Sequence, residues 1–182
     1  MTLPMHLSKT NEHYTPAEYV QAARDVLGLI DLDPASCAVA QQTVKAERFF
    51  TKEENGLAHT WVGSVWLNPP GGRLEKGDPA AIEFGTKSRA VAWWRKLATD
   101  FERCHVSEAI FLAFNIELLS NGQDPSERFL SPAGANAICI PEKRIRFTGS
   151  SPTHANAILY LGKDATLFSR VFSAFGSVII NK

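Results

Sequence analysis

The sequence contains few cysteines and no arrangement typical of a metal site. Cys37, Cys104 and Cys139 lie far apart and form no C-x-x-C pair, and the five histidines show no metal-ligand spacing. Disulfide frameworks and structural zinc sites need paired cysteines or cysteine–histidine sets. The sequence therefore argues against both, predicts no bound metal, and fits a reducing cytoplasm.

The sequence also lacks an excess of charge and long apolar runs. The 19 Lys and Arg residues balance the 19 Asp and Glu residues, so no global positive field predicts tight non-specific binding of nucleic acid. The start, MTLPMHLSKTNEHY, is interrupted by polar residues and resembles neither a signal peptide nor a membrane span. At 182 residues the chain suits a single domain, 1–182, with no membrane contact.

Helical and strand patterns alternate along the chain. Apolar spacing predicts helices in TPAEYVQAARDVLG, RAVAWWRKLATDFERC and LFSRVFSAFG, the first capped by Thr15 and ended by Gly28. Strands are expected in LIDLDPAS, Thr43–Ala46, WVGSVWLNPP, EAIFLAFN, ANAICIPEKRIRFTG, HANAILYLG and SVIIN. This order predicts an α/β sandwich with a mostly parallel sheet and an antiparallel edge. The polar stretches 72–88 and 120–136 are expected to be long functional loops.

Two of the predicted strands end in polar motifs. The first ends in Asp31-Leu32-Asp33-Pro34-Ala35-Ser36, and the third ends in Asn68-Pro69-Pro70-Gly71. Ligands of open parallel sheets bind outside the carboxyl ends of the strands, so neighbouring strands would open both motifs onto one crevice. Each motif taken alone is also typical of an ordinary turn or loop start.

The Asn-Pro-Pro motif offers two hydrogen-bond acceptors. The Asn68 amide oxygen and the Pro69 carbonyl oxygen can accept from both N–H groups of an amine on an aromatic ring. Such contacts favour a tetrahedral nitrogen whose lone pair can point at an electrophile, by positioning and preorganised dipoles. Any aromatic amine fits this chemistry, so the acceptor base stays open from the spacing alone.

The motifs NEHYTP, DLDPAS, A-E-R-F-F-T-x-E-x-N-G-L, W-x-G-x-V-W-L-N-P-P-G, RIRFTG and PTHANAILYLG occur in this order over residues 11–163. Together they resemble the phage-type N6-adenine DNA methyltransferases. The resemblance implies a Rossmann-like methyltransferase fold, S-adenosylmethionine as cofactor, double-stranded DNA as partner and a bacterial host cell. It leaves open whether the protein is a monomer or a dimer.

The resemblance also implies where the cofactor binds. It assigns the cofactor-binding role to Tyr14, Thr15, Pro16, Asp31, Asp33, Pro34, Ala35, Ser36, Glu47 and Asn55. Glu47 would follow the second strand and meet the ribose hydroxyls, although a solvated surface glutamate is an alternative. Asn55, with Glu54, would lie near the cofactor adenine.

Asn68, Pro69, Pro70 and Gly71 match the family's catalytic motif, in which an aromatic residue usually takes the last position and stacks on a base turned out of the duplex. Because Gly71 has no ring, Phe147 is expected to provide the stacking surface, with core packing as its alternative. Arg146, Lys87 and Arg89 are candidates for phosphate contacts, and 72–88 for target recognition. Two alternatives remain: a binding module that has lost catalysis, and a methyltransferase acting on cytosine N4 or RNA.

Overall fold

The computed structural model describes residues 13–148 and 154–181. Its strands are β1 Leu32–Asp33, β2 Arg48–Phe49, β3 Gly63–Leu67, β4 Val106–Ala113, β5 Ala137–Pro141, β6 Ala157–Leu161 and β7 Gly176–Ile180. Its helices are α1 Ala17–Leu27, α2 Gln41–Val44, α3 Pro79–Glu83, α4 Arg89–Glu102, α5 Leu118–Asn121 and α6 Ala165–Phe172. Single 3₁₀ turns span Gly56–Ala58 and Pro132–Gly134. The predicted turn Gly-Ser-Ser-Pro-Thr, 149–153, and the first two residues of NEHYTP lie outside the described residues.

The seven strands form one mixed sheet in the order β2-β1-β3-β4-β6-β5-β7. The first four in this order run parallel, whereas β6 is antiparallel to both β4 and β5, and β7 is antiparallel to β5. The predicted α/β class is confirmed, and β7 is an antiparallel edge. The prediction missed that β6 runs antiparallel inside the sheet, because strand patterns give no spatial order.

Two apolar cores cover the two faces of the sheet. Along β3, Val65 and Leu67 pack toward α4, whereas Trp66 packs toward α1 and α6. This alternation is what a strand buried on both faces requires, since successive side chains point to opposite faces. The result is a three-layer sandwich whose parallel strands deliver their carboxyl ends to one edge.

The start of α1 differs from the prediction. Pro16 occupies the N-cap position and no side chain caps the helix, so Thr15 is not the cap. The Thr15 hydroxyl accepts a hydrogen bond from Asn68 Nδ2 instead. Gly28 ends the helix with φ of 71°, as predicted, because a residue without Cβ adopts this left-handed conformation without strain.

The predicted strand Thr43–Ala46 is wrong. Residues Gln41–Val44 form the short helix α2, and the strand begins later, at Arg48. Pairing with β1 decides the outcome, because the Glu47 and Arg48 amides donate to the Ile30 and Asp31 carbonyls. The β-branched pair Thr43-Val44 gave a local strand signal that this tertiary pairing overrides.

The two long loops are joined through Arg95 of α4. Residues 72–88 contain α3, and residues 120–136 contain the end of α5 and a 3₁₀ turn. Arg95 is 6% exposed; its Nη1 donates to Phe84 O at 2.6 Å, and its Nη2 donates to Gln123 O at 3.2 Å. Nη1 also lies 3.4 Å from Gly85 O, so a buried cation without a salt-bridge partner in the described chain bonds carbonyls of both loops.

We expect Arg95→Met to lower the free energy of unfolding by about 1–3 kcal/mol, the cost of leaving one buried carbonyl, that of Phe84, without a donor. Urea denaturation of the purified protein measures the change. Arg128→Met is the matched control, since Arg128 is exposed and makes one bond, Nη2 to Glu83 O at 2.7 Å. Equal losses in the two variants would contradict the bridging role of Arg95.

Among the described residues, no helix is both long and apolar enough to cross a membrane.

Candidate functional site

The carboxyl ends of β1 and β3 lie side by side. Leu32 pairs with Val65 in parallel register, so the loop that follows Asp33 and the motif that begins at Asn68 leave the sheet at the same edge. The two strands are therefore neighbours, which is the condition for both polar motifs to lie at one edge of the sheet. Phe114, which follows β4 directly, emerges at the same edge because β4 is the next parallel strand, and by register it lies two residues beyond the position level with Asn68.

The Asn68 side chain is anchored through its nitrogen. Asn68 Nδ2 donates to His13 O at 3.0 Å and to Thr15 Oγ1 at 3.2 Å. A carbonyl oxygen can only accept, so the contact with His13 O identifies this end of the amide as the nitrogen. Within the described residues Asn68 Oδ1 makes no hydrogen bond and is not enclosed. The amide oxygen is thus held in place and remains able to accept.

The residues after Asn68 change from buried to open. Pro69 is buried, whereas Pro70, Gly71 and Gly72 are exposed. No donor in the described part of the chain bonds the Pro69 carbonyl. A Cβ added at Gly71 would meet no atom within 4 Å. The open space at Gly71 means that no ring from this motif faces Asn68.

A short N-terminal segment, His13–Pro16, covers this edge. Thr148 N donates to Tyr14 O at 3.0 Å, and Cys37 Sγ lies 3.8 Å from the Tyr14 hydroxyl. Together with the Asn68 contacts, these bonds place the segment beside the motif, and its expected contact with a cofactor stays a prediction. The segment therefore contacts the loop after β1 at Cys37, the motif after β3 at Asn68, and the chain at Thr148.

Four rings meet next to Asn68. Phe114 packs against His13 with ring centroids 5.5 Å apart, against Phe147 at 5.5 Å and against His154 at 5.3 Å. Phe147 is 3% exposed and belongs to the core under α1 and α6. Its expected role as an open stacking surface is not supported, since both faces are covered, and the core-packing alternative describes it. Sequence reasoning missed His13 and Phe114, although Phe114 obeys the same strand-end rule as Asn68.

The buried Asn156 side chain holds the backbone that carries this ring cluster. It is 3% exposed; its Nδ2 donates to Phe114 O at 2.7 Å, and its Oδ1 accepts from Ile145 N at 2.8 Å. Both ends of the buried amide are therefore satisfied. The side chain connects the end of β4 with the segment that carries Phe147.

Asp33 is a buried carboxyl in the loop after β1. It is 3% exposed; Oδ2 accepts from Gln41 Nε2 at 2.9 Å, and Oδ1 accepts from Ala35 N at 3.4 Å. Burial raises its pKa to about 6, opposed by hydrogen bonds from Ser36, Ala35 and Gln41. No cation of the described chain forms a salt bridge with this carboxyl.

The raised pKa of Asp33 predicts a pH-dependent stability. Because its folded pKa of about 6 exceeds the unfolded value of 3.8, folding takes up a proton between these pH values. The contribution is present in full below pH 3.8 and is lost as pH rises through 6, by about 3 kcal/mol in total. Urea unfolding from pH 3.5 to 7.5 measures it.

Asp33→Asn is the comparison for that titration. The stability of the wild-type protein minus that of the variant should fall as pH rises from about 4 to about 6 and then level off. A difference that is flat, or that rises with pH, would mean that the folded pKa of Asp33 is not raised.

Two backbone N–H groups of the loop after Asp33 are already hydrogen-bonded within the protein. Ala35 N bonds Asp33, and Ser36 N donates to Phe50 O at 2.9 Å. The backbone of a neighbouring segment packs tightly against this loop at Gly56, where a Cβ would lie 2.0 Å from Pro34 O. The exposed Asn55 precedes this contact, so it lies near Pro34. The glycine that allows tight packing here is thus on the neighbouring segment.

Asp31 and Glu47 lie at the opposite ends of their strands. Asp31 Oδ2 accepts from Ser64 N at 2.7 Å, and Ser64 is four residues before Asn68, or about 13 Å along β3. Glu47 precedes β2 rather than following it. The structure therefore does not bring these two residues to Asn68. With Arg48, Val62 and Gly63 they line an open cavity of about 370 Å³.

Two of the three basic candidates lie close to the motif. Arg89 Nη1 donates to Gly71 O at 3.4 Å, and Arg89 N donates to Gly72 O at 3.1 Å. Lys87 is exposed, and its carbonyl accepts from Leu74 N. Arg146 is exposed beside Phe147. Of the three, the Arg89 side chain contacts the backbone of the motif itself, at Gly71.

The rest of the described chain adds no competing centre. Residues 13–148 and 154–181 hold no group of three side chains able to bind a metal ion. A second open cavity, of about 420 Å³, lies at the 120–136 loop and is lined by residues such as Glu127 and Phe129. Neither cavity includes Asn68.

Comparison with protein-family models, curated proteins and solved structures finds no match.

Proposed function

We propose that this chain is a Rossmann-like, S-adenosylmethionine-dependent methyltransferase that modifies the N6 amine of adenine in double-stranded DNA. The observation that carries the proposal is the anchored Asn68 amide, whose nitrogen is bound by His13 O and Thr15 Oγ1 while its oxygen makes no bond in the described chain. No donor among the described residues bonds the neighbouring Pro69 carbonyl. The choice of adenine in DNA rests on the ordered motifs, and the bacterial cytoplasm is part of the same proposal.

The residues at this edge fit the cofactor in part. S-adenosylmethionine carries a sulfonium and an ammonium group, and Asp33 is a carboxyl with no salt-bridge partner in the described chain, whose pKa is raised to about 6 by burial. Tyr14, Thr15, Pro16 and Asn55 lie at the same edge and would complete the contact. Asp31 and Glu47 do not fit, because they lie at the far ends of their strands.

The chain's own residues would act by positioning. Asn68 Oδ1 and Pro69 O would accept hydrogen bonds from the two N–H groups of the adenine amine. These bonds would point the nitrogen lone pair toward the methyl donor. Thr15 and His13 hold the amide, so the oxygen needs no reorganisation when the base arrives. The bound cofactor supplies the electrophilic methyl group. Lys87 and Arg89 would hold phosphates at the opening after Gly71.

Labelled S-adenosylmethionine and unmethylated bacterial DNA, incubated with the full chain, provide the direct test. We expect label in N6-methyladenine after digestion to nucleosides. Label in N4-methylcytosine, or in RNA offered instead of DNA, would change the acceptor and keep the reaction. Cofactor binding by calorimetry without any product would support the second candidate, a binding module without catalysis, which Gly71 and the balanced charge favour.

A further inference from the structure

The motif after β3 lacks the ring that a captured base would stack on. Gly71 faces open space, and the core packing of Phe147 covers both of its faces. Stacking on an aromatic side chain contributes about 1–3 kcal/mol per base. A site that holds a base beside Asn68 therefore needs another ring at the same edge of the sheet.

Phe114 is the ring in the right position with the right support. It follows β4, the strand next to β3, and is half-buried rather than enclosed. Its backbone is held by Asn156 Nδ2 at 2.7 Å, and its ring contacts the rings of Phe147 at 5.5 Å and His154 at 5.3 Å. A ring that its neighbours hold in place and that is still partly exposed can serve as a platform for a planar ligand.

The His13 ring stacks on that platform. The His13 and Phe114 rings are stacked, with 21° between their planes and 5.5 Å between their centroids. The same residue accepts from Asn68 Nδ2 through its carbonyl. An aromatic, nitrogen-containing ring thus lies on Phe114 directly beside the amide proposed to hold the adenine amine, and its five-membered ring is similar to one half of a purine.

We propose that Phe114 is the stacking surface for the acceptor base and that His13 occupies this surface until the base displaces it. This inference rests on the proposed function, since it names the base-binding residue of that site. The His13 ring can leave by side-chain rotation while its carbonyl stays on Asn68, so the amide remains anchored. Base capture then competes with an internal contact of the protein.

The two residues have opposite predicted effects on DNA binding. Phe114→Leu removes the platform and should raise KM for unmethylated DNA by about 5–100-fold, the range that base stacking implies. His13→Ala removes the competitor and should lower KM several-fold, and His13→Trp should raise it. A purely structural role would weaken binding in every variant. The dissociation constant of S-adenosylmethionine should change little in all three.

Matched variants control for general effects on folding. His59 is exposed and stacks on Phe50 at 4.2 Å, far from β4, and Phe175 is half-buried against Tyr19 at 4.5 Å. We expect His59→Ala and Phe175→Leu to leave KM for DNA unchanged. Lower KM in His13→Ala together with higher KM in Phe114→Leu supports the inference, and unchanged or parallel shifts in both overturn it.

Fluorescence separates this inference from the proposed function. Single-stranded oligonucleotides that carry 2-aminopurine in place of adenine should be quenched by the full chain, more by His13→Ala and less by Phe114→Leu. If the wild-type protein transfers no methyl group, the proposed function fails and this pattern still supports a base-binding platform. If quenching is absent, or equal in all variants, the platform is wrong whether or not methylation occurs.

Discussion

Asn68→Ala should lower kcat for DNA methylation by about 10²–10³-fold, the loss typical of removing one preorganised hydrogen-bonding group from an active site. The variant loses the oxygen that accepts from the adenine amine and the nitrogen that binds His13 O and Thr15 Oγ1. Cofactor affinity should be largely retained, because Asp33 and Asn55 do not contact Asn68 and because Tyr14 keeps its contacts with Thr148 and Cys37. Steady-state methylation and titration calorimetry measure the two quantities.

Two further variants separate the roles of the two ends of the amide. Asn68→Asp keeps an oxygen toward the amine but places a second one against His13 O, so an intermediate loss is expected. Thr15→Val removes one acceptor of the anchoring nitrogen and should cost less than Asn68→Ala. Full methylation by purified, folded Asn68→Ala would rule out the proposed role of this residue.

Asn156→Leu should lower the free energy of unfolding by about 2–6 kcal/mol, because it leaves two buried backbone groups unpaired at about 1–3 kcal/mol each. These groups are the Phe114 carbonyl and the Ile145 amide, both bonded by the Asn156 side chain. A leucine of similar size cannot bond either. Urea denaturation followed by circular dichroism measures the loss.

Asn115→Leu is the control for that change. Asn115 lies two residues after β4, and its side-chain Oδ1 accepts a solvent-exposed hydrogen bond from Glu117 N at 3.0 Å. Water can replace this donor, so a loss below about 1 kcal/mol is expected. Similar losses in the two variants would mean that the buried pairing of Asn156 contributes little.

The shared edge of β1 and β3 was predictable, because both strands carry strong apolar patterns and both end in proline-containing polar motifs. The carboxyl-end rule for parallel sheets then brings Asp33 and Asn68 to one edge without further information. The same rule could have identified Phe114 after β4. Phe114 was missed because aromatic residues often follow strands and because no recognisable motif surrounds this one.

Asp31 and Glu47 show where the sequence is insufficient. A shift of two residues along a strand moves a side chain by about 7 Å, and the ends of short strands are set by pairing rather than by local preference. Neither the extent of β1 and β2, two residues each, nor the helix at Gln41–Val44 follows from residue type. Burial of Phe147 likewise depends on His13 and Phe114, which are distant in sequence.

Arg95 grips both long loops by main-chain oxygens, and every residue type has such an oxygen. These bonds depend on the backbone path at Phe84, Gly85 and Gln123, whereas Phe129 of the second loop also contacts Arg95 through its ring at 5.1 Å. Under the proposed function, exposed side chains in 72–88 could therefore be substituted, and contacts with target DNA changed, while the loop stays bonded to α4.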